Sequence, residues 1–426
     1  MAERRTYLRS IEGTRGVAAL SILAYHTAQL STGHGYFEAA TSRFWLGVPL
    51  FFILSGFLLY RPFARAVIHQ GPRPSIARYA THRVLRILPA YWLVLTVTIF
   101  ETPGVYDFYP AAILAAAVCL WVFVYLRRPG PLYYAVAAGV TCLAVYRLIE
   151  SPFHTVTWPA LANYALVHIP FAPPHTGVVG PAWSLCIEIS FYCFLPLLAV
   201  VAGRYASRGA TSEARAGRLA LGLVPLLPLG IAFMWISAAG TQRVCLPCYI
   251  DEFAAGMLLA VALERWPTVS VRTSRAMLAT AFAVAVVANL DNRLGPHDPY
   301  GNGSGLIFPR LMVIAFALTL ASVLMRDGQT ILGRALSSRG LVAAGTVSYG
   351  IYLWHFLLIE RLSATQVWWT EGTNLVLVLV LTLAIATGSW VAVERPLLRR
   401  KDDLGSLRRP RREGVRQGSK SKPTYA

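Results

Sequence analysis

The sequence predicts an all-α, polytopic integral membrane helix bundle of about 10–12 transmembrane helices. Three observations carry that prediction. Hydrophobic residues fill 56% of the 426 positions against 14% charged, with a mean hydropathy of +0.52, which excludes an ordinary water-soluble domain. Apolar segments of about 16–22 residues, the length that crosses a hydrocarbon core, recur along the whole chain. Lys and Arg concentrate in alternate loops between those segments, as the positive-inside rule requires.

Taken in order, the candidate spans are 13–30, 45–60, 87–102, 111–126, 131–149, 183–202, 219–238, 249–264, 276–290, 306–325, 341–360 and 375–393. Only Arg127-Arg128-Pro129-Gly130 separates 111–126 from 131–149, so these read as a tight helical hairpin with a basic tip. Segment 249–264 gives the weakest signal. With both termini cytoplasmic, 32 of the 39 Lys and Arg residues fall on the cytoplasmic side. Six fall opposite (Arg43, Arg147, Arg243, Arg293, Arg310 and Arg361), and Arg15 stays within the membrane. The net charge of +19 then reflects topology and attraction to anionic membrane lipid, with no call for nucleic acid. Residues 1–398 form one membrane domain. Residues 399–426 read as a basic, disordered cytoplasmic tail.

No small-residue cleavage pattern follows Met1 to Arg9, so the first helix is expected to be its own insertion signal. No internal repeat is visible. Cys119, Cys142, Cys186 and Cys193 lie in apolar spans, where cysteine behaves as a small hydrophobe. Cys245 and Cys248 form a C-x-x-C in an exterior loop, open to a disulfide, whereas a metal site would need two further ligands.

The chemistry lies in polar groups at membrane depth, where an ionisable side chain is costly and by default functional. The first span, IEGTRGVAALSILAYH, carries Arg15 and His26 on one helix face, about 16 Å apart along the axis. Span 183–202 opens WSLCIEISFY, placing Glu188 about two turns below the exterior surface with Ser184 and Tyr192 one turn to either side. In SYGIYLWH, Ser348, Tyr352 and His355 share a face, and Glu188, His355 and His26, three titratable groups from three helices at one depth, form the candidate site. At the cytoplasmic entrance to the third span, ARYATHRVLRILPAYW presents Arg78, His82, Arg83 and Arg86; the planar fork of Arg83 and Arg86 suits phosphate. Each residue also has a structural reading. An intramembrane His can serve as an interhelical hydrogen-bonding partner, Glu188 as a counter-ion, the hydroxyls as packing contacts, and the arginines as ordinary positive-inside charges.

Arg15 with His26, FFILSGFLL at 51–59, RVLRILPAYW at 83–92, WSLCIEISFY at 183–192, EFAAGMLLA at 252–260, SYGIYLWH at 348–355 and ERP at 394–396 together resemble acyltransferase family 3, bacterial membrane O-acyltransferases. The resemblance covers residues 8 to about 398. It implies an enzyme that takes an acyl group, most simply acetyl, from cytoplasmic acyl-coenzyme A, with no permanently bound cofactor or metal. The group goes to a hydroxyl of a carbohydrate, glycolipid or glycosylated metabolite, often at the exterior face of the cell membrane. The family's Arg-His pair carries onto Arg15 and His26, and its WSL serine and glutamate onto Ser184 and Glu188. Three departures stand out. Glu12-Gly13 replaces the usual Asp-Gly; Ile189 and Ser190 replace an acidic residue and Gln; and an extracytoplasmic hydrolase-like domain found in some relatives has no counterpart, so one domain is expected to do everything.

The expected mechanism places the coenzyme A phosphates on Arg15, Arg83 and Arg86, with His26 as general base on the acceptor hydroxyl. Glu188 would orient His26, Ser184 would stabilise the oxyanion, and His355 completes the catalytic set. A polytopic transporter of a polar or glycosylated solute is the alternative. A sensor is disfavoured, because no cytoplasmic segment is long enough to fold independently.

Overall fold

The computed structural model describes residues 2–29, 36–101, 138–139, 141–142, 166, 179–237, 245–290, 307–364 and 371–399. Helices numbered among these residues are α1 (Ala2–Gln29), α2 (Tyr36–Thr41), α3 (Gly47–Ile68), α4 (Ile76–Glu101), α5 (Trp183–Ala206), α6 (Ser212–Leu223) and α7 (Leu226–Ser237). There follow α8 (Leu246–Arg265), α9 (Val271–Leu290), α10 (Ile307–Leu324), α11 (Ile331–Leu336), α12 (Arg339–Thr346), α13 (Ser348–Ala364) and α14 (Glu371–Ser389). No strand occurs among the described residues. The expected spans 111–126 and 131–149 and the basic tail from residue 400 lie outside them.

Seven helical stretches are long and apolar enough to cross a membrane, or eight if the bent pair α12 and α13 counts as one span. α1 and α4 have 28 and 26 residues, long enough to cross. The bundle is sorted by burial. The apolar windows of α3 and α8 are 67% and 72% buried, against 17% for α9 and 22% for α14, so α3 and α8 form the centre and α9 and α14 the lipid-facing rim. Large apolar side chains such as Leu197, Ile236, Phe282 and Val376 point outward, which is the solvation a bilayer provides. Segment 249–264, weakest in apolar signal, is the most enclosed because it touches protein rather than lipid on most sides.

Lipid tails are as apolar as Leu, so nothing hydrophobic drives these helices together; close packing must do it. The α3–α8 crossing shows how. A Cβ on Gly56 would run into the Phe253 carbonyl, and a Cβ on Gly256 into the Ile53 carbonyl, so each helix opposes a glycine to the other's backbone. Phe253 fills the crossing, stacked at 4.7 Å on Phe52 and at 4.0 Å on Phe191 of α5. The ends are tied by Arg61 of α3 at 2.8 Å and His69 beyond it at 3.2 Å, both meeting Glu264 of α8.

α1 is seated in the same manner. Its backbone at Glu12 lies against Gly345 of α12, while Gly13 lies against the Leu336 carbonyl. This contact explains a departure from the expected single span 341–360. α12 follows α1, α13 continues against α1 and α14, and the two are bent by 73° about Val347.

Substituting Gly256→Val places a branched side chain on the Ile53 carbonyl. It is expected to destabilise the fold by about 1–3 kcal/mol, seen as a lower thermal midpoint in fluorescence-detected size exclusion. Gly217→Val, where a Cβ meets nothing within 4 Å, should leave that midpoint in place.

Candidate active site

Three cavities lie in series through the bundle. The largest, about 560 Å³, opens where α3 ends and α4 begins and is lined by Arg65, His69, Arg78 and His82. It shares Leu58, Leu59 and Arg83 with a central cavity of about 310 Å³, which holds Arg15, Ser55, Arg86, Ser184 and Glu188. Val48 and Tyr352 in turn separate the centre from a third cavity of about 150 Å³, lined by His26, Trp45, Trp183, Tyr249, Glu252 and Arg310. The third cavity sits at the end of α1 and the beginnings of α3, α5, α8 and α10. It therefore faces the opposite side of the membrane from the first.

Arg15, Glu188, Arg83, Ser184 and Tyr352 in the centre each have a named partner. The glycine contacts of α1 with α12 turn Arg15 inward, where it meets Glu12 at 3.2 Å. Glu188 accepts from Ser55 through Oε1 and from Tyr192 through Oε2, each at 2.8 Å. The Arg83 guanidinium stands over the Tyr192 ring at 5.9 Å, a cation–π contact that ties α4 to α5. Tyr352 donates its only hydrogen to the Pro181 carbonyl at 2.6 Å, so in the 2.6 Å contact between Ser184 and Tyr352 it is Ser184 that donates.

Of the three titratable groups placed at one depth, His26 and His355 lie ring to ring, whereas Glu188 lines the central cavity. The two imidazole centroids are 5.3 Å apart at 31°, and Phe356 meets His26 edge-on at 5.3 Å. Nδ1 of His355 faces the Ile351 carbonyl at 3.0 Å, which can only accept, so Nδ1 carries the hydrogen. That leaves Nε2 as a buried acceptor with no partner among the described residues. Sequence reasoning expected Glu188 to orient His26. The structure places the two in adjoining cavities and engages Glu188 with Ser55 and Tyr192 instead.

A further cluster escaped sequence reasoning. Arg310, counted from sequence among the charges on the exterior side, reaches Asp251 through Nε at 2.8 Å, Glu252 through Nη1 at 2.9 Å and the Cys248 carbonyl through Nη2 at 2.8 Å. Its signal was present in the adjacent carboxylates that begin an apolar segment, since membrane-depth charges demand a partner. Cys245 and Cys248 are free thiols with sulfurs 3.4 Å apart.

These features define a polytopic membrane protein whose interior carries titratable groups from one face to the other. The acyltransferase domain family matches residues 8–394, and the chain belongs to that family. It is 25% identical over 408 residues to YrhL of Bacillus subtilis, covering 93% of this chain and 55% of the relative. Against the peptidoglycan O-acetyltransferase OatA of Listeria monocytogenes it is 22% identical over 410 residues, covering 92% and 56%. Nodulation protein 10 of Rhizobium leguminosarum is 24% identical over 389 residues, covering 85% and 84%. The chain thus spans about half the length of the first two. No solved structure matches.

Arg310→Met would leave two buried carboxylates without their cation. Breaking a buried ion pair from one side costs about 3–5 kcal/mol, so the expected result is a large fall in thermal midpoint or in the yield of monodisperse protein.

Proposed function

We propose that the protein is a membrane O-acyltransferase that moves an acyl group, acetyl in the simplest case, from acyl-coenzyme A to a hydroxyl of a carbohydrate or glycosylated acceptor across the membrane. The observation that supports this most is the row of cavities leading from an arginine-rich mouth to the His26–His355 pair. The activity for which two of the relatives are named, O-acetylation of peptidoglycan, agrees in reaction class. The Lys and Arg distribution favours a cytoplasmic first cavity and cytoplasmic termini.

In this reading Arg83, shared by the first two cavities, grips donor phosphate together with Arg86 and Arg15, each guanidinium offering a fork of N–H donors. Glu188 holds Ser55 and Tyr192, so it keeps the wall beneath Arg83 in place. The pantetheine arm extends through the central cavity, because Arg15 and His26 are about 16 Å apart along α1. The acceptor hydroxyl loses its proton to His26 as its oxygen attacks the thioester carbonyl carbon. The carbon–sulfur bond then breaks, the thiolate takes the proton from the imidazolium, and an O-acyl ester and a free thiol leave. His355 presents Nε2 beside His26 as a second acceptor for that proton. Ser184, on the path of the thioester, serves the developing oxyanion by turning its hydroxyl from Tyr352.

His26→Ala should lower transfer by about 10²–10⁴-fold. The check is mass spectrometry of envelope carbohydrates, lipids and secreted metabolites from matched cells expressing either form. An acyl increment unaffected by the substitution defeats the assignment of His26, and a labelled solute moved across the membrane unmodified would favour transport. Arg83→Ala with Arg86→Ala removes charge-assisted contacts of about 1.5–3 kcal/mol each. The donor KM is then expected to rise at least roughly tenfold while the acceptor KM holds.

A further inference from the structure

The Arg310 cluster leaves two buried carboxylate oxygens, Asp251 Oδ1 and Glu252 Oε2, without a hydrogen-bond partner among the described residues, and of these two residues Glu252 lines a cavity. Glu252, 1% exposed, gives Oε1 to Arg310, while its Oε2 has no hydrogen-bond partner among the described residues. A buried carboxylate oxygen without a donor is costly, and a donor brought by a ligand would relieve that cost. Glu252 also lines the same small cavity as His26.

Resting on the acyltransferase reading, we propose that Glu252 is the acceptor-binding carboxylate, its free oxygen accepting from one hydroxyl of a neutral sugar ring while a neighbouring hydroxyl of that ring meets His26. Four further features of the cavity fit that ligand. Tyr25, Trp45, Trp183 and Tyr249 line it with aromatic rings, the flat amphipathic walls that pack against a sugar's C–H faces and leave its hydroxyls to polar groups. Arg310 is already engaged by Asp251 and Glu252, so the cavity presents a carboxyl edge rather than a free cation, which suits a neutral ring and offers no counter-charge to uronates or phosphorylated sugars. At about 150 Å³, roughly the liquid volume of five waters, the cavity admits one ring edge and not a polymer. It stands at the membrane face opposite the arginine-rich mouth, so acceptor and donor approach from opposite ends.

The placement of Glu252 follows from the α3–α8 crossing. Phe253 points into that crossing against Gly56, and one step back along α8, about 100° around the helix, Glu252 faces the cavity. Arg310 fixes its rotamer from α10 through Oε1. Glu252→Gln keeps an oxygen for Arg310 and replaces the free acceptor by an NH₂ donor.

The test uses the full chain in lipid nanodiscs, with methyl β-glucopyranoside and methyl N-acetyl-β-glucosaminide as neutral probes and glucuronate as the anionic one. Binding is read by saturation-transfer NMR. The expected outcome is binding of a neutral glycoside by the wild type, at least tenfold weaker binding by Glu252→Gln at the same size-exclusion profile, and no binding of glucuronate. A second readout uses the wild type alone: the bound glycoside should slow diethyl pyrocarbonate modification of His26 at least severalfold. Absence of glycoside binding by the wild type, unprotected His26, equal binding by Glu252→Gln, or equal binding of glucuronate each overturns the proposal. Transfer from acetyl-coenzyme A is followed in the same nanodiscs. Glycoside binding without transfer counts against the acyltransferase reading alone, whereas transfer with an unchanged acceptor KM in Glu252→Gln counts against the role of Glu252 alone.

Discussion

The reciprocal glycine contact between α3 and α8 is the constraint on which the interior depends. In a bilayer, helices gain nothing by hiding apolar surface from one another, so a central pair must find its attraction in close backbone approach. Gly56 against Phe253 and Gly256 against Ile53 provide that approach. It also sets the azimuth of every neighbour on both helices. Ser55, next to Gly56, is turned to Glu188, and Glu252, next to Phe253, is turned to Arg310. Two polar sites on opposite sides of one crossing are thus held by the same four residues.

α1 plays the corresponding role at the periphery of the site. Its glycines let α12 lie flat along its first half, and the face left over carries Arg15 towards one cavity and His26 towards the next. The bend of 73° between α12 and α13 then lets α13 bring Tyr352 and His355 to that face. A straight helix through 341–360 could not follow the early half of α1 and reach His26 as well.

The class of fold was legible in composition alone, whereas depth counted along each span put His26, His355 and Glu188 level without showing that only the two histidines face each other. Of the two partners of Glu188, Tyr192 was legible and Ser55 was not. Spacing along α5 pointed to Ser184 and Tyr192, but Ser55 lies 133 positions away and depends on how α3 and α5 are rotated. The partners of Arg310 were missed for a similar reason: at the fourth position of α10 it counts as one more exterior-side charge until α8 is known to lie beside it. The motifs of the family resemblance, SGF within 51–59 and EFAAG within 252–260, are the two sides of one helix crossing, a relation no reading along the chain could supply.

Tyr352 has a consequence of another kind. A protein polar from one face to the other invites ions to leak down the gradient that the membrane exists to maintain. The phenol of Tyr352 and the side chain of Val48 stand where the central and third cavities meet, and the phenol is pinned by Pro181 on one side and Ser184 on the other. Among the described residues that septum parts the central cavity from the third, so the movement of the Tyr352 phenol that would admit a thioester to His26 is the same movement that would join the two compartments.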